Sequence, residues 1–184
     1  MIEFRKESDE VLYSDTLSAV IGAEEIIVLK RMALLNRRKR IRLCTHDSPN
    51  SKLHEMFIVH TSDCYVRPHK HIGKDESISV IEGCADVVFF NDDGSIHKAV
   101  SISDDSNTGS YYCRIPDSIY HMLIIRSEYL IFHEATEGPF NKKDTIFPEW
   151  SPVEESDRLV DFMDSIENNI HNNFNNDQVE ELHD

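Results

Sequence analysis

His69, Lys70 and His71 are followed by Glu76 and then by Gly83. Histidines at i and i+2 of an extended strand project to the same face, so both imidazoles can reach one point. A turn over residues 72–75 brings Glu76 in beside them, and Gly83 permits the tight turn into the next strand. Imidazole and carboxylate together suit a first-row divalent metal: iron, manganese, zinc, nickel or copper. A fourth donor is expected from residues 116–121, where Pro116 opens a turn into a strand that begins at His121. Three neutral imidazoles and one carboxylate leave such an ion about one net positive charge and one or two open positions. A centre of this kind polarises carbonyls, binds hydroxyls as alkoxides or acidifies water. It favours small anionic or oxygen-chelating molecules.

Residue parity adds three candidates for catalysis. Tyr65 and Arg67 share the parity of His69 and His71, so an unbroken strand would aim all four inward. Arg67 would then clamp a carboxylate or phosphate; if Pro68 bends the strand, Arg67 instead turns to a structural partner. Tyr65 reads either as an acid or as a barrel-lining packer. Glu134, before a Gly-Pro turn, is either a general base or partner of a ligating histidine, or a carboxylate that pins the following loop. The remaining histidines, His60 and His133 included, have no such partners and read as surface or packing residues, although those two fall in strands that could lie near the site.

The elements needed to position these groups are short strands. Apolar or alternating runs occur at residues 40–44, 55–60, 64–67, 78–81, 86–91, 96–102, 111–115, 121–125 and 129–134, separated by turn residues. This spacing predicts an all-β sandwich or closed barrel. Asn91-Asp92-Asp93-Gly94 is a hairpin turn, because Asp-Gly accepts positive φ. Leu17, Val20, Ile21, Val28, Met32 and Leu35 fall near a 3.6-residue period, which predicts an outer helix over residues 16–36. Leu159, Phe162, Met163 and Ile166 share one face of an acidic helix over residues 153–170. From Asn168 on, the Asn-, Asp- and Glu-rich end is expected to fray or be disordered. The chain divides into an N-terminal helical extension (1–40), a β-barrel (41–152) and an acidic C-terminal helix and tail (153–184).

Composition sets the class. The chain has 184 residues, 40% of them hydrophobic, with a formal net charge of −15. That charge should be repelled by phosphate backbones, so no nucleic-acid partner is expected. The basic run Arg37-Arg38-Lys39-Arg40, with Arg42, reads as a solvated helix end rather than an anion site. No apolar run is long enough to span a bilayer, and the N-terminus lacks a signal-peptide pattern. A soluble, cytoplasmic protein without membrane association is expected. Cys44, Cys64, Cys84 and Cys113 form no CxxC pair and are expected to be reduced.

The pattern HxH, four residues, Glu, six residues, Gly, followed by Pro116 and His121, resembles the two motifs of the cupin superfamily. The first matches at every position; in the second, Ser118 and Ile125 replace the usual glycine and asparagine. More narrowly, residues 36–153 resemble WbuC-type cupin metalloproteins. The likeness runs through residues 64–71 and 73–77, Val88-Phe89-Phe90 with its Asp-Gly turn, Phe132-His133-Glu134, Gly138-Pro139-Phe140 and Trp150-Ser151-Pro152. The resemblance implies a jelly-roll barrel (a double-stranded β-helix) that holds one divalent metal ion on His69, His71, Glu76 and His121. It also implies a place near sugar-nucleotide chemistry in surface-polysaccharide metabolism, with no assigned reaction. Cupins frequently pair, and the outward apolar Met122 and Ile124 fit a homodimer. A metal-dependent isomerase, epimerase or lyase, an iron-dependent dioxygenase, and a non-catalytic binding or sensing module are all compatible with such a site.

Overall fold

The computed structural model describes residues 3–16, 18–105, 107 and 109–173. In chain order the elements are β1 (Phe4–Lys6), β2 (Val11–Ser14), α1 (Ala23–Leu35), β3 (Arg40–Cys44), β4 (Leu53–Thr61), β5 (Lys70–His71), β6 (Glu76–Glu82), β7 (Cys84–Phe90), β8 (Ile96–Ser103), β9 (Tyr112–Ile115), β10 (Tyr120–Ile125), β11 (Tyr129–Glu137), β12 (Thr145–Ile146) and α2 (Leu159–Asn173). The strands form a seven-stranded sheet in the order β1-β2-β3-β4-β11-β6-β9, a three-stranded sheet β10-β7-β8 and the short pair β12-β5. All pairings are antiparallel except β2 with β3. The described strands do not close into the barrel expected from the motif; two open sheets sandwich the core.

Alternation along the strands explains which faces meet. The large sheet turns Cys44, Met56, Ile58, Ile78, Leu130 and Phe132 inward, against Ala85, Val87, Phe89, Leu123 and Ile125 of the small sheet. Residues of opposite parity, Ile41, Leu43, Val59 and Ile131, are covered by Leu29 and Ala33 of α1 and by Leu12 of β2. On the small sheet, Val88, Phe90, Met122 and Ile124 face out and are covered by Ile166 and Ile170 of α2. β10 is thus buried on both faces, which is why Met122–Ile125 are apolar throughout rather than alternating.

Several expectations change. The first 40 residues contribute two strands as well as a helix, and Leu12 is fully buried where β2 joins β3. Strands this short carry too few alternating positions to stand out in the sequence. Helix α1 starts at Ala23 rather than near residue 16: Glu25 Oε2 accepts the Gly22 amide at 3.0 Å, a capping contact at the N-terminus. Met122 and Ile124 are covered by the chain's own α2, so they offer no outward patch for pairing. Helix α2 runs from Leu159 to Asn173, so residues 168–173, expected to fray or be disordered, are helical; the rest of that stretch, 174–184, lies outside the described residues. The Asn91–Gly94 turn is present, with Gly94 at φ 89°. Gly83 sits at φ 89°, and an added Cβ would lie 2.1 Å from Tyr129 O. No helix among the described residues is long and apolar enough to cross a membrane.

Candidate metal centre

Three short contacts bring the histidines together. His69 and His121 form an isolated antiparallel bridge, exchanging backbone hydrogen bonds of 3.0 and 2.9 Å. His71 follows on β5, which pairs with β12 through Thr145. One ring nitrogen from each of His69, His71 and His121 lies within 4.8 Å of the others. Glu76, at the start of β6, completes the group: its Oε1 is 2.8 Å from His121 Nε2 and its Oε2 is 3.2 Å from His71 Nε2.

The far sides of the rings are held. His69 Nδ1 is 2.9 Å from Arg67 O, His121 Nδ1 is 3.0 Å from Ile119 O and His71 Nδ1 is 3.2 Å from Thr145 Oγ1. A carbonyl accepts, so the Nδ1 protons of His69 and His121 are committed there and Nε2 is the ring atom each turns toward the cluster. Glu76 and His121 are only 6% and 3% exposed. Without a cation, burial drives His69 down to about 3 and keeps it neutral. Burial also opposes charge on His121, but the Glu76 carboxylate and its hydrogen bond raise it above the ordinary histidine value. Burial acts to raise Glu76; the His121 charge and the hydrogen bonds from His121 and His71 outweigh it and hold the carboxyl well below its usual range. Three histidines whose ring nitrogens converge beside a buried carboxylate fit a divalent cation.

The other expected residues fall in different places. Glu134 lies within β11 rather than at its end, and it lines the same cavity as the histidines. Burial, then the charge of Glu76, pushes its carboxyl up to about 8, with Arg42 and His121 pulling the other way. Arg67 and Tyr65 are not on a strand, because the chain from residue 64 to 68 leaves the sheet ahead of Pro68. Tyr65 faces the outer cluster beneath α2 and donates to Pro152 O at 3.0 Å, so it is a packing residue and not an acid at the centre. Arg67 does line the cavity, but its guanidinium donates to Ser151 Oγ and Ser151 O at 2.9 Å each and stacks 5.0 Å over Phe147. It ties the segment around residues 147–151 to the cavity mouth, the structural alternative left open by the sequence.

Sequence reasoning missed the arginines of β3. Arg40 and Arg42 do not end a helix; they alternate inward on a strand and line the cavity. Lys39 does cap α1, donating to Leu34 O at 2.9 Å. The missed signal was the Arg-x-Arg alternation inside the apolar run of residues 40–44. The cavity between the sheets has a volume of about 310 Å³. A second of about 240 Å³ adjoins it and shares Arg42, His71, Glu76, Glu134, Phe140 and Thr145.

Two open sheets, an HxH-Glu-Gly motif and a converging third histidine together make a site able to hold a metal. Residues 21–102 also match the model of a domain of unknown function, DUF6016. No curated protein matches the sequence. Among solved structures, a Shewanella oneidensis structural-genomics target shares the fold at a TM-score of 0.54 and 9% identity, covering 70% of this chain and 85% of its own. KdgF from a Halomonas species aligns at TM-score 0.44 and 13% identity over 56% of this chain and 82% of its own. A formate complex of Lactobacillus farciminis oxalate decarboxylase aligns at TM-score 0.43 and 18% identity over 53% of this chain. That alignment spans only 27% of the decarboxylase chain.

Proposed function

We propose that the chain binds one divalent first-row metal ion through His69, His71, His121 and Glu76, and acts on a small oxygen-chelating anion beside it. The observation that carries this reading is the convergence of three ring nitrogens within 4.8 Å over a buried carboxylate. A bound ion would supply Lewis acidity there. The protein's own groups do the rest. His69 and His121 are oriented by carbonyls, Phe140 and Phe147 contribute apolar wall, and Glu134 faces the cavity where it can take or give a proton at the ligand. A Lewis acid paired with a carboxyl suits isomerisation, epimerisation or a lyase step. The resemblance to WbuC-type cupins supports looking for the ligand among sugar-derived molecules.

The test is metal content after purification without added metal, and again after chelation and reloading. One equivalent in the wild type and strongly reduced content in His71→Ala is expected. Full content in His71→Ala would sink the ligand assignment. Turnover of sugar nucleotides and small keto or hydroxy acids, with and without chelator, then separates an enzyme from a binder.

A further inference from the structure

The register of the large sheet places an unexpected pair of polar side chains on its inner face. Arg40 pairs with His60, and Arg42 pairs with Ile58. Arg42 and His60 are therefore diagonal neighbours of the same parity, on the face that also carries Ile58, Leu130 and Phe132. Both line the cavity that holds the three histidines and Glu76. Leaving a guanidinium and an imidazole without partners at such positions costs stability, and apolar residues would fill them better.

The other cations of the two cavities are engaged. Arg40 bonds Glu10 at 2.7 Å, Arg38 bonds Glu154 at 2.7 Å and Lys74 reaches Asp144 at 3.3 Å. Arg67 is committed to Ser151. Arg42 differs: among the described residues no hydrogen bond or ion pair engages its guanidinium, and it stands on the wall where the two cavities meet. His60 is only 7% exposed, and its Nδ1 is buried without a hydrogen-bond partner. A bare acceptor nitrogen is the less costly atom to bury dry, so the proton of the neutral ring belongs on Nε2, which is then free to donate.

We propose that Arg42 and His60 form an anion subsite on the inner sheet face, which takes the carboxylate or phosphate of a ligand whose other end chelates an ion held by the histidine cluster. This rests on the metal reading above. It narrows the ligand to small organic dianions: a chelating oxygen pair at one end, a second anionic group at the other. Arg42 supplies a planar fork for that group, and His60 supplies one further N–H.

The test is calorimetry on Mn²⁺-loaded protein with three probes that share an α-hydroxy-acid chelating end. Lactate has no second anion, malate adds a carboxylate and 3-phosphoglycerate adds a phosphate. Wild type is expected to bind malate or 3-phosphoglycerate at least about tenfold tighter than lactate, as a charge-assisted contact allows. Which of the two gains identifies the anion. Arg42→Gln should bring all three within about twofold of one another, and Arg42→Lys should retain part of the preference. His60→Leu should melt at the same or a higher temperature yet lose several-fold in dianion affinity, a combination no structural role produces. Mn²⁺ affinity should be unchanged in every variant. A preference that survives in Arg42→Gln, or no preference in the wild type, overturns the subsite. So does a loss of folding in Arg42→Gln that Glu134→Gln repairs, which would make Arg42 a counter-ion. Failure of wild type to bind Mn²⁺ would overturn the metal reading itself, and the subsite with it.

Discussion

Replacing Glu76 by Gln keeps the side-chain shape and removes its charge. The carboxylate spans two histidines, with Oε1 2.8 Å from His121 and Oε2 3.2 Å from His71, and is 6% exposed. In the metal-free protein the substitution exchanges two charge-assisted hydrogen bonds for neutral ones. The expected cost is about 1–3 kcal/mol, capped because His121 can shed its proton instead of remaining a buried unpaired charge. The larger effect is on the ion, which loses its only anionic ligand; a fall in affinity of at least about 100-fold is expected, beyond the 10–100-fold typical of groups that merely support a ligand. At a metal concentration 100 times the wild-type Kd, binding stabilises the wild type by about 2.7 kcal/mol. The same concentration would stabilise a 100-fold weaker variant by only about 0.4 kcal/mol. Urea unfolding of both proteins, with chelator and with metal, measures all four states. The metal-dependent gain should collapse in the variant. An equal gain in both would refute the reasoning, because Glu76 would then be a structural partner of His121 and no ligand.

Other consequences follow from the fold. Gly83→Ala puts a Cβ 2.1 Å from Tyr129 O at φ 89° and should cost about 2–4 kcal/mol in chemical unfolding. Ser118 holds φ 65° at the position where the cupin motif usually has glycine, so Ser118→Gly should raise stability by about 0.5–1 kcal/mol or leave it unchanged. Burial drives His60 down to about 3. The unfolded chain therefore takes up a proton that the folded one refuses as pH falls below the ordinary histidine value of about 6.5. The stability associated with a neutral His60 is fully present above that value and declines as pH falls toward 3, by up to about 1.4 kcal/mol per unit. His60→Leu should flatten this decline by about 1–2 kcal/mol between pH 6.5 and 4.5, read from urea midpoints at each pH.

The candidate site was legible because its four residues carry both chemistry and spacing. His69, His71 and Glu76 lie within eight residues, so the short connection through residues 72–75 suffices to bring them together. His121 could be placed only through its proline-led turn, and the structure holds it there by the backbone bridge to His69. For Tyr65 and Arg67 the sequence left both roles open, because parity argues only along an unbroken strand; the chain leaves the sheet before Pro68, and both side chains take the structural alternative. Arg42 and His60 gave no local signal as a pair: they are 18 positions apart and meet only through the β3–β4 register. The face of α2 was readable, since Leu159, Phe162, Met163 and Ile166 all pack on one cluster. What that face covers was not, because Met122–Ile125 are apolar on both sides of β10 and its outer side looked free. An open sandwich in place of a barrel follows from long-range strand pairing, which periodicity alone does not encode.

The central claim is a single divalent ion on four named side chains. Anomalous diffraction from a crystal of metal-loaded protein tests it most directly. One strong peak is expected, about 2.0–2.2 Å from a nitrogen of each of His69, His71 and His121 and from an oxygen of Glu76. A peak elsewhere, or none at this cluster in protein that elemental analysis shows to be loaded, would contradict it.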